Sequence, residues 1–182
     1  MKDLRFSQID PYHNFDLDKD KHTKFNIIRL TMNQQYAGED QMKMQIIYLI
    51  KGELLLTNKK QEAVNIHEGE FFFTRNVNYA CHALRESNFV VFEVERNECV
   101  TNPNIQREMM AVTVCLRDIQ TPCQAPPVLS LFFENIADFM DRGIDDPLLR
   151  QIKRKELFLL LTSLYPGNGM GELLMYNQFS LS

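Results

Sequence analysis

The sequence has no excess of positive charge. Its 20 lysine and arginine residues are outnumbered by 24 aspartate and glutamate residues, so the formal net charge at pH 7 is −4. A nucleic-acid-binding surface needs a basic face that neutralises phosphates. We therefore expect no DNA contact by this chain itself, and DNA binding would require another segment.

Long apolar runs are also missing. The longest unbroken run of aliphatic and phenylalanine side chains, residues 157–161, is far shorter than the roughly 20 residues that span a bilayer. Residues 1–5 mix both charge signs and no apolar stretch follows them, which is atypical of a secretory signal. We expect no membrane contact and a cytoplasmic location.

Paired metal and redox motifs are absent as well. The four cysteines, Cys81, Cys99, Cys115 and Cys123, form no C-x-x-C pair, which favours reduced, buried thiols. No His-x-His pair occurs either, although a metal site in a β-barrel needs imidazoles and a carboxylate that converge on one ion. We predict no metal and no cofactor.

The sequence does contain a long β-rich region. Residues 1–23 are polar and form an expected N-terminal arm, whereas residues 24–120 hold short runs of β-branched and aromatic residues. Gly52 and Gly69 follow two of these runs, where glycine permits a tight corner. Short strands at close, even spacing predict an antiparallel sandwich or barrel.

From residue 121 onward the pattern becomes helical. Prolines suit a linker over residues 121–127, and apolar residues then recur every three or four positions over residues 128–141. Gly143 ends this predicted helix, and Asp146-Pro147 begins a second one that reaches Tyr165. Two helices with a short loop form an antiparallel hairpin. Residues 121–182 are thus a linker with helices.

The second helix has apolar residues on more than one side. Residues 157–161 are apolar all round, so we expect this helix to be covered by its own sheet and also by a second copy of the chain. A two-fold interface of this kind predicts a homodimer. The side chains predicted at the dimer interface are Phe132, Phe133, Ile136, Phe139, Leu149, Ile152 and Leu159.

Three stretches resemble the N-terminal regulatory domain of AraC-type bacterial transcription regulators. Residues 47–54 (IYLIKGEL) are similar to a strand and glycine corner of its cupin-like barrel, and residues 67–73 (HEGEFFF) are similar to a later strand. Residues 149–161 (LRQIKRKELFLLL), followed by Tyr165-Pro166, are similar to the helix that precedes the DNA-binding domain in that family. The resemblance covers roughly residues 24–180.

This resemblance implies a mostly β chain with C-terminal helices, namely a cupin-like double-stranded β-helix (a jelly-roll barrel) followed by the helical hairpin. It also implies a domain that senses a small molecule, dimerises, and controls DNA binding by a C-terminal helix-turn-helix domain. That DNA-binding domain is absent from this sequence. The identity of the effector does not follow from the resemblance.

The residues favour binding over catalysis. No nucleophile-base-acid arrangement, glycine-rich phosphate loop or paired-carboxylate signature stands out, so we expect no enzyme activity. A small-ligand pocket is mostly apolar with a few polar groups. The residues predicted to line it are Arg29, Tyr48, Arg75, His82 and Phe92.

Two other interpretations stay open. One is a metal-free cupin enzyme, such as a sugar epimerase or isomerase, that uses a barrel histidine and tyrosine as acid and base. An ordered His-Tyr or His-Glu pair deep in the pocket would favour it. The other is a structural dimerisation module without a ligand, which a filled barrel interior would support.

Overall fold

A computed structural model describes residues 23–38, 43–58, 63–75, 79–95, 111 and 121–165. The predicted N-terminal arm lies outside the described residues except for Thr23. Nearly all of residues 96–120 and the tail from residue 166 lie outside them as well. The strands are β1 Thr23–Leu30, β2 Gln35–Gly38, β3 Lys43–Lys51, β4 Glu53–Asn58, β5 Ala63–His67, β6 Glu70–Arg75, β7 Tyr79–Ala83, β8 Ser87–Glu95 and β9 Cys123–Gln124.

These strands form two antiparallel sheets, in the orders β1-β8-β3-β6-β9 and β2-β7-β4-β5. The first strand pairs with the eighth, the second with the seventh, the third with the sixth and the fourth with the fifth. One long antiparallel hairpin that has been rolled up gives this pairing, which is the jelly-roll topology. The predicted antiparallel sheets are therefore confirmed, and their strands pair in the order of a jelly roll.

Glycine corners separate the strands where the sequence predicted them. Gly52 lies between β3 and β4 with φ of 105°, and Gly69 lies between β5 and β6 with φ of 81°. L side chains rarely adopt such φ values. A Cβ atom at Gly52 would also lie 2.5 Å from the carbonyl oxygen of Glu86. No other residue fits that corner without displacing the start of β8.

The apolar side chains form two layers of core. Between the sheets lie Leu30, Ile47, Leu49, Leu54, Leu56, Ile66, Tyr79, Cys81, Ala83, Phe89 and Val91. The outer face of the five-stranded sheet carries Phe25, Ile46, Tyr48, Phe71, Phe73, Val90 and Phe92, and the helices pack onto it. Because side chains alternate along a strand, β3 and β8 each contribute to both layers.

Two helices follow β9, namely α1 Pro127–Asp141 and α2 Pro147–Leu164. Asp146 caps α2, since its carboxylate accepts hydrogen bonds from the backbone N–H groups of Leu148 and Leu149 at 2.8 and 3.1 Å. The predicted helices are confirmed to within a residue or two. The predicted linker is corrected in one place, because Cys123–Gln124 pairs with Glu70 and Phe71 as an edge strand.

The apolar stripe of α1 packs on the sheet of its own chain. Phe132, Phe133 and Ile136 are buried in the core beneath the helix. The predicted dimer interface is corrected at these three positions, because side chains already enclosed by one chain present no surface to a second. Phe139 and Leu149 are half-buried. Ile152 and Leu159 on α2 are exposed.

Candidate functional site

Polar side chains replace apolar ones at one end of the space between the sheets. On β8, Phe89 and Val91 face the opposite sheet, and Glu93 continues the same face two residues later. On β3, Gln45 lies on the same face as Ile47, two residues away. Both polar residues are buried, Glu93 with 7% and Gln45 with 6% of its surface exposed. The core between the sheets therefore changes from apolar to polar along the strands.

Strand register places these residues side by side. Gln45 is the partner of Glu93 across β3 and β8, and it is also the partner of Thr74 across β3 and β6. The Gln45 amide Nε2 donates to Glu93 Oε1 at 2.5 Å, and Asn26 Nδ2 on β1 donates to Glu93 Oε2 at 3.5 Å. Four neighbouring strands thus carry a continuous polar row on one face.

The second sheet adds two tyrosines to this row. The Tyr79 hydroxyl donates to Gln45 Oε1 at 2.8 Å. The Tyr36 ring lies 6.4 Å from the Tyr79 ring between centroids and 5.6 Å from the ring of Phe89. We call Tyr36, Gln45, Thr74, Tyr79 and Glu93 the polar cluster.

The tyrosines of the polar cluster are donors rather than bases. Burial, followed by the charge of Glu93, raises the pKa of Tyr36 to about 12. Burial raises the pKa of Tyr79 further above its ordinary value. Both hydroxyls are therefore protonated at neutral pH, because desolvation disfavours the charged phenolate. Burial also raises the pKa of the free Cys81 thiol to about 12, which keeps it protonated and unreactive.

Thr74 contributes an unsatisfied hydroxyl. The residue has 5% of its surface exposed, and its Oγ1 atom has no hydrogen-bond partner among the described residues. Buried hydroxyl groups nearly always find a partner, so one that lacks it points to a bound molecule or water. Thr74 lies on the same face as Phe72, which packs against the core between the sheets. The free hydroxyl therefore belongs to the polar cluster.

Two of the predicted pocket residues lie on the other face of the sheet. Tyr48 stacks on Phe133 of α1 with ring centroids 4.9 Å apart, and Phe92 contacts Phe158 of α2 edge to face at 5.9 Å. Both pack under the helices and do not line the space between the sheets. Their predicted place in the pocket was wrong, because neighbours along a strand face opposite ways and both residues lie on the face that carries the helices.

The remaining predicted residues are also separated from one another. His82 lies between Cys81 and Ala83, which face the opposite sheet, so it is half-buried on the outer face of the four-stranded sheet. Arg75 ends β6, and its side chain lies outside the described residues. Arg29 is exposed near the end of β1, where it forms an ion pair with Asp141 at the end of α1.

Arg29 lines a cleft of about 270 Å³ at the opposite end of the sheet from the polar cluster. Asn88 and Glu93 are five residues apart on β8, which corresponds to about 17 Å along a strand. We call this the base cleft. It is lined by Arg29, Leu30, Thr31, Lys51, Glu86, Ser87 and Asn88.

The polar cluster was missed by sequence reasoning, although a signal for it existed. Glu93 shares the parity of Phe89 and Val91 on a strand whose two faces are both apolar. A carboxylate in such a position is unusual, since charged residues are seldom buried. Which residues of β3, β6 and β7 it meets depends on register, and register is not readable from one strand.

Within the described ranges, no group of three or more His, Cys, Asp and Glu side chains is placed to hold a metal ion. Neither α1 nor α2 is long and apolar enough to cross a lipid bilayer.

No family model matches the chain, and no curated protein matches it. Parts of several solved structures are similar to it. A cupin 2 conserved barrel domain protein from Leptotrichia buccalis is 16% identical with a TM-score of 0.40, over 42% of this chain and 36% of that one. An RmlC-like cupin protein from Desulfovibrio desulfuricans is 10% identical with a TM-score of 0.36, over 40% of this chain and 72% of that one.

Ectoine synthase from P. lautus is 13% identical with a TM-score of 0.38, over 41% of this chain and 55% of that one. The matched part is thus little more than half of the ectoine synthase and about a third of the Leptotrichia protein. Similarity of this extent concerns the arrangement of strands alone, and neither activity nor ligand follows from it.

Proposed function

We propose that this chain is the ligand-sensing and dimerisation domain of an AraC-type transcription regulator. In this proposal a small molecule binds at the polar cluster, and a helix-turn-helix domain elsewhere in the regulator binds DNA. The observation that carries the proposal is the buried carboxylate of Glu93 with its network of amide and tyrosine hydrogen bonds inside an otherwise apolar jelly roll.

A purely structural role accounts poorly for this network. Transferring a carboxylate into a protein interior costs several kcal/mol unless charges and hydrogen bonds compensate it, and an apolar replacement is often neutral or stabilising. The apolar end of the space between the sheets is filled by Ile47, Leu54, Ile66 and Phe89, as a module without a ligand would require. At the other end, buried polar side chains take the place of apolar ones. This end has the features of a small-molecule site, in which a few polar groups converge within apolar walls.

The enzymatic alternative has weaker support. It would use a histidine and a tyrosine as acid and base, but His82 lies on the outer face of the four-stranded sheet. Tyr36 and Tyr79 have raised pKa values, whereas an efficient acid-base catalyst has a pKa near the working pH. The polar cluster is better suited to holding a ligand than to transferring protons.

The packing offers a route from the polar cluster to the helices. Alternate residues of β3 and β8 contact the interior and the helices, so a shift of either strand moves Tyr48 against Phe133 and Phe92 against Phe158. A ligand changes the position of the helices if it binds one arrangement better than the other. Exposed Ile152 and Leu159 on α2 then supply the contact with a second copy of the chain.

The test is a thermal-shift screen of this chain against small metabolites. A ligand present at about 100 times its Kd adds about 2.7 kcal/mol of stability, which corresponds to a Tm rise of several degrees. We expect a hit to lose most of its effect in Glu93→Gln and Thr74→Val. The matched control is Glu134→Gln on the exposed face of α1.

Two results would contradict the proposal. One is a screen in which hits stabilise Glu93→Gln and the wild-type chain equally, because the ligand would then bind elsewhere. The other is turnover of a hit by the wild-type chain that Tyr79→Phe abolishes, which would favour the enzymatic alternative.

A further inference from the structure

We propose that the base cleft is a second binding site, distinct from the polar cluster, for a small carboxylate that carries a hydroxyl group on the adjacent carbon. A 2-hydroxy acid is the simplest member of this class. The cleft's charges, one unsatisfied oxygen and its size each restrict what it can bind.

The charges of the cleft favour an anion. Arg29 and Lys51 supply two positive charges, and Lys51 has no ion-pair partner among the residues that the structure describes. Glu86 supplies one negative charge. A carboxylate is attracted by the two cations more than it is repelled by Glu86, because two positive charges outnumber one negative charge in the lining. Arginine binds planar carboxylates well because its guanidinium donates two parallel hydrogen bonds.

Strand register brings the two cations to one residue. Asn88 on β8 is the partner of Arg29 on β1 and, after a register shift that follows Leu49, of Lys51 on β3. Arg29 and Asn88 therefore lie on the same face of the sheet and close together, and Lys51 lines the same cleft. Asn88 therefore stands between the two positive charges in the wall of the cleft.

Asn88 also lacks a hydrogen bond. Its Oδ1 atom is buried and has no partner among the described residues. The hydroxyl of Ser87 is not available to it, because that hydroxyl already contacts the backbone of Glu53 and Arg85. A rotation about the Cβ–Cγ bond turns the amide toward the cleft, where a ligand hydroxyl can donate to Oδ1.

The size of the cleft limits the ligand. Its volume of about 270 Å³ lies just below the roughly 300 Å³ at which pockets for drug-sized ligands begin. A smaller molecule, such as a short 2-hydroxy acid, is therefore of the right size.

Binding competes with a contact that ties the sheet to the helices. Arg29 forms an ion pair with Asp141, the last residue of α1, and both side chains are about half exposed. Exposed ion pairs contribute little stability, so a ligand carboxylate can replace Asp141 at the guanidinium. A ligand bound in the base cleft thus breaks the ion pair that joins β1 to the end of α1.

The experiment is a titration of the purified chain with L-lactate, followed by backbone amide NMR shifts. Propionate is the matched probe, because it lacks only the hydroxyl group. We expect saturable shifts at the ends of β1, β3 and β8 with lactate, and several-fold weaker binding of propionate. Equal affinity for lactate and propionate would overturn the assignment.

Substitutions locate the site, provided that the circular dichroism spectrum of each variant matches that of the wild-type chain. Arg29→Gln and Lys51→Gln each weaken lactate binding about tenfold, and Arg142→Gln, which removes an exposed charge outside the cleft, leaves it unchanged. Asn88→Ala abolishes the preference for lactate over propionate. If Arg142→Gln weakens binding as much as Arg29→Gln, the attraction is general charge and the proposal fails.

Asp141→Asn is expected to strengthen binding, which general damage to the fold would not do. It removes the competitor for Arg29 and tightens lactate binding several-fold, whereas Asp138→Asn, three residues earlier and paired with Arg142, has no effect. Weaker or unchanged binding in Asp141→Asn would refute the competition. Glu93→Gln leaves lactate binding intact, which separates this site from the polar cluster.

Discussion

Glu93 and Thr74 are polar residues at strand positions whose neighbours on the same face are apolar. Each is nearly fully buried, and each belongs to a polar cluster that lies between two sheets. Burying a polar group costs free energy, so these two residues point to a role in binding more directly than the other single positions described.

At Thr74 the cost of the unsatisfied hydroxyl can be measured directly. Thr74→Val keeps the shape of the side chain and removes the hydroxyl, so we expect the free energy of unfolding to rise by about 1 kcal/mol. Urea unfolding followed by circular dichroism measures the change. Thr57→Val is the control, because the Thr57 hydroxyl donates to the Ala80 carbonyl at 3.4 Å, and its loss brings no gain. A loss of more than about 1 kcal/mol in Thr74→Val would mean that the hydroxyl has a partner.

The buried tyrosine and thiol predict how stability depends on pH. The pKa of Tyr36 rises from 10.0 to about 12 on folding, and that of Cys81 rises from 9.0 to about 12. Folded pKa values above the unfolded ones give stability that is complete below the unfolded pKa and is lost as pH rises toward the folded pKa.

We therefore expect the free energy of unfolding, measured in urea at a series of pH values, to be unaffected by these two groups below pH 9.0 and to fall as pH approaches about 12. The double variant Tyr36→Phe, Cys81→Ala should show a smaller fall over that range. Equal slopes for the variant and the wild-type chain would contradict the assigned burial.

Among the elements, β8 connects the parts of this fold. Its inward residues Phe89, Val91 and Glu93 reach the space between the sheets, while Val90 and Phe92 contact the layer under the helices. Its first residues line the base cleft. A strand in the interior of a sheet with both faces buried transmits strain well, because close-packed interiors deform little.

Helix α2 carries the predicted contact with a second chain. Ile152 and Leu159 are 43% and 68% exposed, and their separation of seven residues, about two turns, places them on one face of the helix. We expect Leu159→Glu to convert a dimer to a monomer, as measured by light scattering after size-exclusion chromatography. Leu131→Glu on α1 is the control, since Leu131 is equally apolar and also exposed. A wild-type chain that stays monomeric at high concentration would refute the interface.

On the scale of the whole molecule, the helices and the jelly roll share one core. Phe133 stacks on Tyr48 and lies edge to face with Phe132, and it is completely buried. We expect Phe133→Ala to lower the free energy of unfolding by about 3 to 5 kcal/mol. Leu131→Ala, on the exposed side of the same helix, should change it by less than about 0.5 kcal/mol.

The same unfolding experiment tests whether the two parts are coupled. We expect sheet and helix signals to be lost together in the wild-type chain, because a single core gives one cooperative transition. Helix loss well before sheet loss in the wild-type chain would show that α1 and α2 form a separate unit.

Local patterns in the sequence were sufficient for much of the architecture. Periodicity and backbone chemistry predict the glycine corners at Gly52 and Gly69, the β-rich region, and two helices, one of them capped by Asp146. These features depend only on residues that are close together in the sequence. The two-residue strand β9 did not follow, because so short a strand exists through its pairing with β6.

The positions of side chains across the sheets required the three-dimensional arrangement. Tyr48 and Phe92 face the helices, and Gln45 and Glu93 face the interior, since a shift of one residue exchanges the two faces of a strand. The row of Gln45, Thr74 and Glu93 and the grouping of Arg29, Lys51 and Asn88 each join residues that are far apart in sequence. The local sequence determined where the strands and helices lie. Only the tertiary structure decided which side chains meet, because strand pairing depends on contacts between residues that are far apart in the sequence.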